Sequence, residues 1–495
     1  MNIIDKPKLA RRLGLVTLSA TGICSMLGAS INVVPFMIHR SVEGIGPYVL
    51  PAFIFAMVPA LFAAFAYGIL SSAMPRAGGS YLYASRGLNP YLGFIASFSQ
   101  WFGLSIVIGV IAYICIPFIR DVAMGLGFLN LSNSLEEPII RVGLALFLIW
   151  LFVMININGT KSYENTLLPM MVLMFLLGGI VILFGFIYEH SDFIKAYQLS
   201  ENRQIEINSQ TNFEWRTFLS AAAILFASFI GFDSIAQAGS EAKNPSVNLP
   251  KAILLAILTV GLFYFLYTAA VYNTIPWSFI ASEAQSKDIS APGLLSYILP
   301  SWLGVAIILG AAIALINDLP AMLLSVSRLM FAWAEDGIFP SSVARVHQTK
   351  QTPHVALLLA GGMASVGVLG SHFAGDFFLG IDIMVTSMMV NFLLMCITLL
   401  SIKKTNPTLA KNINVIKNRK YQLAIGWFGT LFLILFLTIH TYKDLTSSVE
   451  NWYFHSTAVW SLVMVFGSII FLFNWYKIGK RGKNQYEQFK FLPEE

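Results

Sequence analysis

Apolar residues occur along this chain in long uninterrupted runs that are separated by short polar stretches. A helix needs about 20 consecutive apolar residues to cross roughly 30 Å of hydrocarbon. The strands of a membrane barrel would instead alternate apolar and polar positions over about ten residues, and a run such as 167–187 does not alternate. The pattern therefore predicts an all-α integral membrane protein with twelve transmembrane helices, at residues 14–38, 46–73, 91–119, 140–158, 164–188, 214–240, 250–275, 302–333, 353–371, 378–402, 422–442 and 457–478.

Composition indicates that a bilayer, not water, surrounds most of the chain. Of the 495 residues, 57% are hydrophobic and 11% are charged, whereas a soluble chain has about 45–50% apolar and about 25% charged residues. Cys24, Cys115 and Cys396 all lie inside predicted helices without paired spacing. We therefore predict no disulfide, no metal site and no cofactor.

Lysine and arginine residues concentrate in alternate loops, as they do on the cytoplasmic side of membrane proteins. This bias predicts a cytoplasmic N-terminus at 1–13, a ten-helix core at 14–402, a basic cytoplasmic loop at 403–421, helices eleven and twelve at 422–478, and a cytoplasmic tail at 479–495. The net charge of +6 follows from this asymmetry and suits an anionic lipid surface. No nucleic-acid partner is predicted, and the expected location is a plasma membrane of the bacterial inner-membrane type.

Two predicted helices contain residues that weaken a continuous helix. The first holds Gly22, Gly28 and Asn32, and the sixth holds Gly231 and Asp233. Ordinary close packing of membrane helices explains one such stretch. Interruptions at matching places in two halves, however, point to the substrate site of a transporter. Because the two helices are five spans apart, we predict two five-helix repeats of opposite topology, at 14–188 and 214–402.

Three motifs occur in order along the chain. They are Pro-Arg-Ala-Gly-Gly-Ser-Tyr at 75–81, Gly-Phe-Asp at 231–233 with Glu-Ala-Lys-Asn-Pro at 241–245 and a proline at 250, and a segment from Ser-Arg to Asp-Gly at 327–337. On these motifs, residues 10–400 resemble the amino acid, polyamine and organocation transporter superfamily, and the amino acid permeases within it. The resemblance implies a leucine-transporter-like fold with broken helices one and six, and it places Pro250 at the start of helix seven.

The function that the resemblance implies is secondary active transport of amino acids by alternating access, coupled to protons or to exchange. A neutral amino acid is favoured because the predicted cavity has no excess of acids, and a polyamine or organic cation is the alternative. No Gly-x-x-x-x-Gly-Lys-Ser/Thr sequence indicates ATP-driven pumping. A channel or a membrane enzyme is disfavoured, because neither a filter motif nor convergent catalytic groups are evident. A subunit of a heteromeric exchanger would need a cysteine in an outer loop for a covalent bridge.

The same resemblance assigns the ends of an amino acid to the two interrupted helices. Backbone amides around Gly28 would hold the carboxylate, since a helix N-terminus favours anions. Carbonyls freed by unwinding would hold the ammonium. Phenylalanines of helix six are candidate gates, although ordinary packing also explains them, and Ser97, Gln100 and Ser105 are candidate polar liners. The candidate substrate-binding residues are Met26, Gly28, Ala29, Ser30, Phe226, Ala227, Phe229, Ile230 and Gly231.

Ion coupling in relatives of this fold uses a helix-five lysine or hydroxyl groups on helix eight. The corresponding positions here carry Met174 or Phe175 on helix five, and Ala314 and Leu315 on helix eight. Neither arrangement is therefore predicted for this chain.

Two acids deep in predicted helices are the coupling candidates, because ionisable residues within the membrane are costly and mark functional sites. Asp233 follows the interruption of helix six, and Asp318 precedes Pro320 in helix eight. Each also has a structural explanation: Asp233 as a helix N-cap, and Asp318 as a paired acid beside a proline kink.

Overall fold

The computed structural model describes residues 8–205, 211–374, 377–449, 451–480 and 485–493. All regular secondary structure within these ranges is helical, which confirms the predicted all-helical class. Two isolated bridges, Leu13 with Ala242 and Ala77 with Ala238, connect distant segments of backbone within the same ranges.

Ten α-helices form the first half of the chain. They are α1 (Leu15–Cys24), α2 (Ala29–Asn32), α3 (Val34–Ser41), α4 (Val49–Ala73), α5 (Gly79–Gly87), α6 (Pro90–Gly125), α7 (Leu129–Glu136), α8 (Pro138–Ile157), α9 (Thr160–Ile187) and α10 (His190–Glu201).

Twelve further α-helices follow. They are α11 (Trp215–Leu225), α12 (Ser234–Gln237), α13 (Pro245–Thr274), α14 (Trp277–Ser286), α15 (Ala291–Leu295), α16 (Ser301–Glu335), α17 (His354–Ala374), α18 (Phe377–Thr405), α19 (Pro407–Lys411), α20 (Arg419–Thr446), α21 (Ser456–Lys480) and α22 (Gln485–Gln488). Short 3-10 helices lie at Gly46–Tyr48, Phe226–Phe229, Gly239–Glu241 and Trp452–Phe454.

Eleven of the helical segments in the described ranges are long and apolar enough to cross a bilayer. The eleven agree in position with the predicted runs from 46–73 to 457–478. The first predicted run, 14–38, contains α1, α2 and α3, and the apolar helix α1 has only 10 residues. The count of twelve spans therefore stays a prediction.

Several helix boundaries differ from the predicted ones. Helix α13 begins at Pro245 and carries Pro250 inside it, so the expected start at Pro250 is wrong. Asn244 adopts a left-handed conformation with φ of 43° just before the helix, and a proline at the first helical position has no N–H to leave unsatisfied. Helix α6 runs six residues beyond the predicted end, through Pro117 to Gly125.

Helix α6 lies at the centre of the bundle, where it packs against α16, α17 and α18. The contact with α17 depends on glycines on both helices. A Cβ atom at Gly109 would lie 2.3 Å from the carbonyl oxygen of Ala364, and one at Gly367 would lie 2.4 Å from the carbonyl oxygen of Ile106. This close approach of two backbones fixes the wall that α6 contributes to the central cavity described below.

Two segments of the core leave α-helical geometry where glycines and polar residues occur. Helix α1 ends at Cys24, and α2 begins at Ala29. Helix α11 ends at Leu225 and continues as a 3-10 turn over Phe226–Phe229, and α12 begins at Ser234. These two non-helical stretches position the candidate site.

Candidate functional site

The backbones of the two non-helical stretches touch each other. Gly231 has φ of 141°, a conformation that only glycine adopts without strain. A Cβ atom at this position would lie 2.4 Å from the carbonyl oxygen of Ser25. The hydroxyl of Tyr264 on α13 donates to the carbonyl of Met26 at 2.5 Å. Gly231 is therefore required both by its backbone conformation and by the proximity of Ser25.

A cavity opens beside this contact. Backbone and side chains of Ser25, Met26, Ala227 and Ile230 form one wall, and Asp318 on α16 lies on the wall as well. The remainder is aliphatic or thioether surface from α6, α16 and α18, contributed by Val107, Val110, Ile111, Met322, Ile381 and Met384. Three of the predicted substrate-binding residues, Met26, Ala227 and Ile230, thus line one cavity together with the coupling candidate Asp318.

Asp318 is 2% exposed and its carboxylate packs against the backbone of Gly28. A Cβ atom at Gly28 would lie 1.6 Å from one carboxylate oxygen of Asp318 and 2.6 Å from the other. Position 28 therefore has no room for a side chain while Asp318 keeps this position. The neighbouring Asn317 is directed elsewhere, since its amide donates to the sulfur of Cys24 at 3.0 Å.

The predicted carbonyl ligands keep part of their hydrogen-bonding capacity. Met26 accepts from Tyr264, and Ala227 accepts from the N–H of Ile230 at 3.2 Å. A carbonyl oxygen has two lone pairs. Each of these two carbonyls can therefore accept a further hydrogen bond from a ligand in the cavity.

Asp233 is fully buried and lies in a polar cluster next to the cavity, not on its described wall. One carboxylate oxygen accepts from the side-chain amide of Gln100, and the other accepts from the N–H of Gly231 at 3.1 Å. Asp233 immediately precedes α12, but it forms no side-chain cap to that helix. The carboxylate thus holds the Gly231 turn in place.

The cluster around Asp233 joins five helices through buried side chains. The carbonyl oxygen of Gln100 accepts from the Ser80 hydroxyl at 2.6 Å and from the amides of Gln237 and Asn391 at 3.2 and 3.3 Å. The Tyr67 hydroxyl lies 2.6 Å from that of Ser80 and accepts from Asn391 at 2.7 Å. A shift of helix α12 therefore alters hydrogen bonds to α4, α5, α6 and α18 together.

Two buried ion pairs lie at the end of the molecule that contains α5. Arg328 donates to both carboxylate oxygens of Glu241, at 2.9 and 2.7 Å. Arg86 of α5 donates to both oxygens of Asp336, at 2.5 and 2.8 Å, and also to the carbonyl of Phe491 at 3.2 Å. These contacts tie α5, the segment after α12, the end of α16 and the segment near residue 491 into one closed layer.

The other predicted site residues do not lie on the described wall of the cavity. The Phe226 ring packs against Phe392 and Phe436, and the Phe229 ring packs against Phe53 and Tyr264. The side chains of Ala29 and Ser30 lie outside the described part of the structure.

Some residues of the site had not been singled out from the sequence for this role. Ser80 belongs to the first motif, which was assigned only to a loop, and it takes part in the cluster because that loop contains helix α5. Tyr67, Gln237 and Asn391 carry no pattern of their own. A buried polar residue in each of several apolar helices is the one signal that marks them, because such residues need partners.

Comparisons with known proteins agree with this geometry. The sequence model of the amino acid permease family matches residues 13–476. Over 385 residues the chain is 26% identical to the branched-chain amino acid permease of Bacillus subtilis strain 168, which covers 73% of this chain and 75% of the relative. It is also 26% identical over 328 residues to the low-affinity putrescine importer of Escherichia coli K12, covering 65% of this chain and 67% of the relative.

A third relative comes from a mammal. The chain is 26% identical over 362 residues to the cationic amino acid transporter 4 of Mus musculus, covering 71% of this chain and 54% of the relative. The family match extends over nearly the whole chain, and the described helices include eleven candidate membrane spans. The chain is therefore a multi-pass membrane protein that belongs to the amino acid permease family.

Proposed function

We propose that this protein is a secondary active transporter that carries neutral amino acids across the plasma membrane by alternating access, and that it is not an enzyme. The observation that carries the proposal is the cavity at the contact of the two non-helical stretches. Its wall combines backbone carbonyls of Met26 and Ala227 with aliphatic side chains of three helices. Such a wall offers polar groups to the main-chain end of an amino acid and apolar surface to its side chain.

In the proposed complex, the carboxylate of the substrate approaches the amides at Gly28, Ala29 and Ser30, and the ammonium approaches the carbonyls of Met26, Ala227 and Ile230. Phe226 and Phe229 lie one layer behind the cavity, among other aromatic rings. In this proposal they act as gates by moving with the 3-10 turn that carries them. Both roles remain proposals based on the resemblance and on the cavity.

For the membrane arrangement, we propose twelve spans with both termini and the 403–421 loop in the cytoplasm. In this proposal residues 14–188 and 214–402 form two inverted five-helix repeats, and helices α20 and α21 stand outside that core. The α5 end, with its ion pairs, then faces the cytoplasm. The positions of Lys403, Lys404, Lys411, Lys417 and Lys420 support this orientation, since basic loops stay on the cytoplasmic side.

We further propose that transport is coupled to protons or to exchange, with Asp233 as the proton-sensitive group. Asp233 holds the Gly231 turn and accepts from Gln100. A change of its charge would weaken both hydrogen bonds and with them the cluster that reaches Tyr67 and Asn391. This gives a route from protonation to a movement of α12.

Uptake by purified protein in liposomes tests the proposed function. Radiolabelled leucine, valine, alanine, lysine and putrescine are offered under an inward proton gradient, an inward sodium gradient, or an internal load of the same compound. We expect saturable, stereoselective uptake of an aliphatic amino acid under the proton gradient or with internal load. Uptake that does not saturate would indicate a channel, and uptake of none of the five compounds would contradict the proposal.

A polyamine or organic-cation transporter is the second candidate. Asp318 on the cavity wall favours it, because a buried carboxylate attracts a cation, and one relative is named a putrescine importer. Preferential uptake of putrescine over leucine in the same experiment would select this candidate.

A further inference from the structure

The cavity at the two non-helical stretches carries a feature that the proposed backbone ligands do not explain. Asp318 lies on the same wall system as the carbonyl-bearing residues Met26, Ala227 and Ile230. Within the described wall it is the one residue with an ionisable side chain, and it is 2% exposed. A ligand in this cavity therefore meets a carboxylate in a place that excludes most water.

An ammonium group fits these surroundings. It has three donors and no acceptor, and the wall offers carbonyl lone pairs on Met26 and Ala227 next to the Asp318 carboxylate. Hydrogen bonds between ionised groups are roughly twice as strong as neutral ones. We infer that Asp318 binds the ammonium of the substrate, so that the site requires a primary amine. This inference rests on the proposed transport function and adds to it the residue that selects the amine.

The rest of the wall limits the amine to one with an apolar remainder. Val107, Val110 and Ile111 on α6 and Ile381 and Met384 on α18 surround the space opposite the carbonyls. A second ammonium placed there would lose its water without gaining a partner among these side chains, which is costly. The site therefore selects a monoamine with an aliphatic chain over a diamine such as putrescine.

The position of Asp318 also ranks the two ends of an amino acid. Its carboxylate packs against Gly28, where the carboxylate of the substrate is proposed to bind, and two like charges at that distance repel. The ammonium thus supplies more of the binding energy than the carboxylate does. An analogue that lacks the carboxylate should bind, and one that lacks the amine should not.

Three leucine analogues separate these contributions in the wild-type protein. Binding of radiolabelled leucine to detergent-solubilised protein is measured in competition with 3-methylbutylamine, 4-methylpentanoate or putrescine. We expect 3-methylbutylamine to compete within about tenfold of unlabelled leucine, and we expect 4-methylpentanoate and putrescine to compete at least about 100-fold less well. Competition by 4-methylpentanoate but not by 3-methylbutylamine would overturn the inference.

A charge-removing variant tests the residue itself. Because a hydrogen bond to a charged group contributes about 1.5–3 kcal/mol, Asp318→Asn should weaken binding of leucine and of 3-methylbutylamine by about 10- to 150-fold. Asp121→Asn is the matched control, since Asp121 also lies on a core helix but pairs with Arg120 near the surface. Size-exclusion chromatography identifies the variants that stay folded.

The outcomes separate failure of the inference from failure of the proposed function. If wild-type protein transports leucine and folded Asp318→Asn binds it with unchanged affinity, the amine is bound elsewhere. If Asp318→Asn does not fold, the competition by the three analogues in wild-type protein decides alone. If wild-type liposomes take up neither leucine nor any other compound offered, the transport function itself is wrong.

Discussion

Removing the charge of Glu241 provides a direct measure of how firmly the α5 end is closed. Arg328 donates two hydrogen bonds to the Glu241 carboxylate, at 2.9 and 2.7 Å, and the two side chains are 2% and 0% exposed. Glu241→Gln keeps the shape of the side chain but leaves the guanidinium without its counter-charge. Breaking a buried ion pair in this way costs about 3–5 kcal/mol.

The backbone contacts at the same position do not change with this substitution. The N–H groups of Arg12 and Leu13 donate to the carbonyl of Glu241, and that carbonyl is retained in the variant. The loss of stability can therefore be attributed to the side-chain pair. Equilibrium unfolding by sodium dodecyl sulfate in mixed micelles, followed by tryptophan fluorescence, measures the free energy of unfolding.

Two further variants make the measurement decisive. Asp288→Asn breaks the pair with Arg40, in which the Asp288 side chain is 89% exposed, and exposed pairs contribute about 0–1 kcal/mol. The double variant Glu241→Gln with Arg328→Met removes both charges and should recover most of the lost stability. Equal losses for Glu241→Gln and Asp288→Asn, or no recovery in the double variant, would refute the reasoning.

Other predictions concern orientation, packing and coupling. Lys411→Cys should react with a membrane-impermeant maleimide only in inside-out vesicles, and labelling of intact cells would contradict the proposed orientation. Gly109→Leu should reduce the yield of folded protein, because its Cβ would lie 2.3 Å from the carbonyl oxygen of Ala364; Gly143→Leu, with no atom within 4 Å of the added Cβ, should not. Asp233→Asn should keep substrate binding but lose the pH dependence of uptake, and unchanged pH-dependent uptake would exclude Asp233 as the proton-sensitive group.

The fold was predictable where a span is apolar throughout its length. The central helix α6 was found by this signal, but its extension past Pro117 to Gly125 was not, because a packed membrane helix tolerates a proline that would end an isolated one. Helices α7 and α10 were missed for a different reason. They are short and mixed in composition, with buried residues on one side only, so a search for apolar runs does not detect them.

Part of the site followed from the motifs, and part required three-dimensional contacts. The interruption near Gly231 has a sequence signal, and the residues around it do line the cavity. The approach of Asp318 to Gly28 has none, because it depends on how α16 packs against the stretch that follows α1. The hydrogen bond from Gln100 to Asp233 is likewise invisible in sequence, since each residue alone is only a polar position in an apolar helix.

The contact between Gly28 and Asp318 also constrains how this protein can change over evolutionary time. A methyl group at position 28 would overlap the carboxylate of Asp318, so neither position can vary freely while the other is kept. A lineage that acquires alanine or a larger residue at 28 must first shorten or relocate the side chain at 318, and it then loses the buried carboxylate. We therefore expect these two distant positions to covary among relatives, and their pairing to divide the family by the charge of the compounds that its members carry.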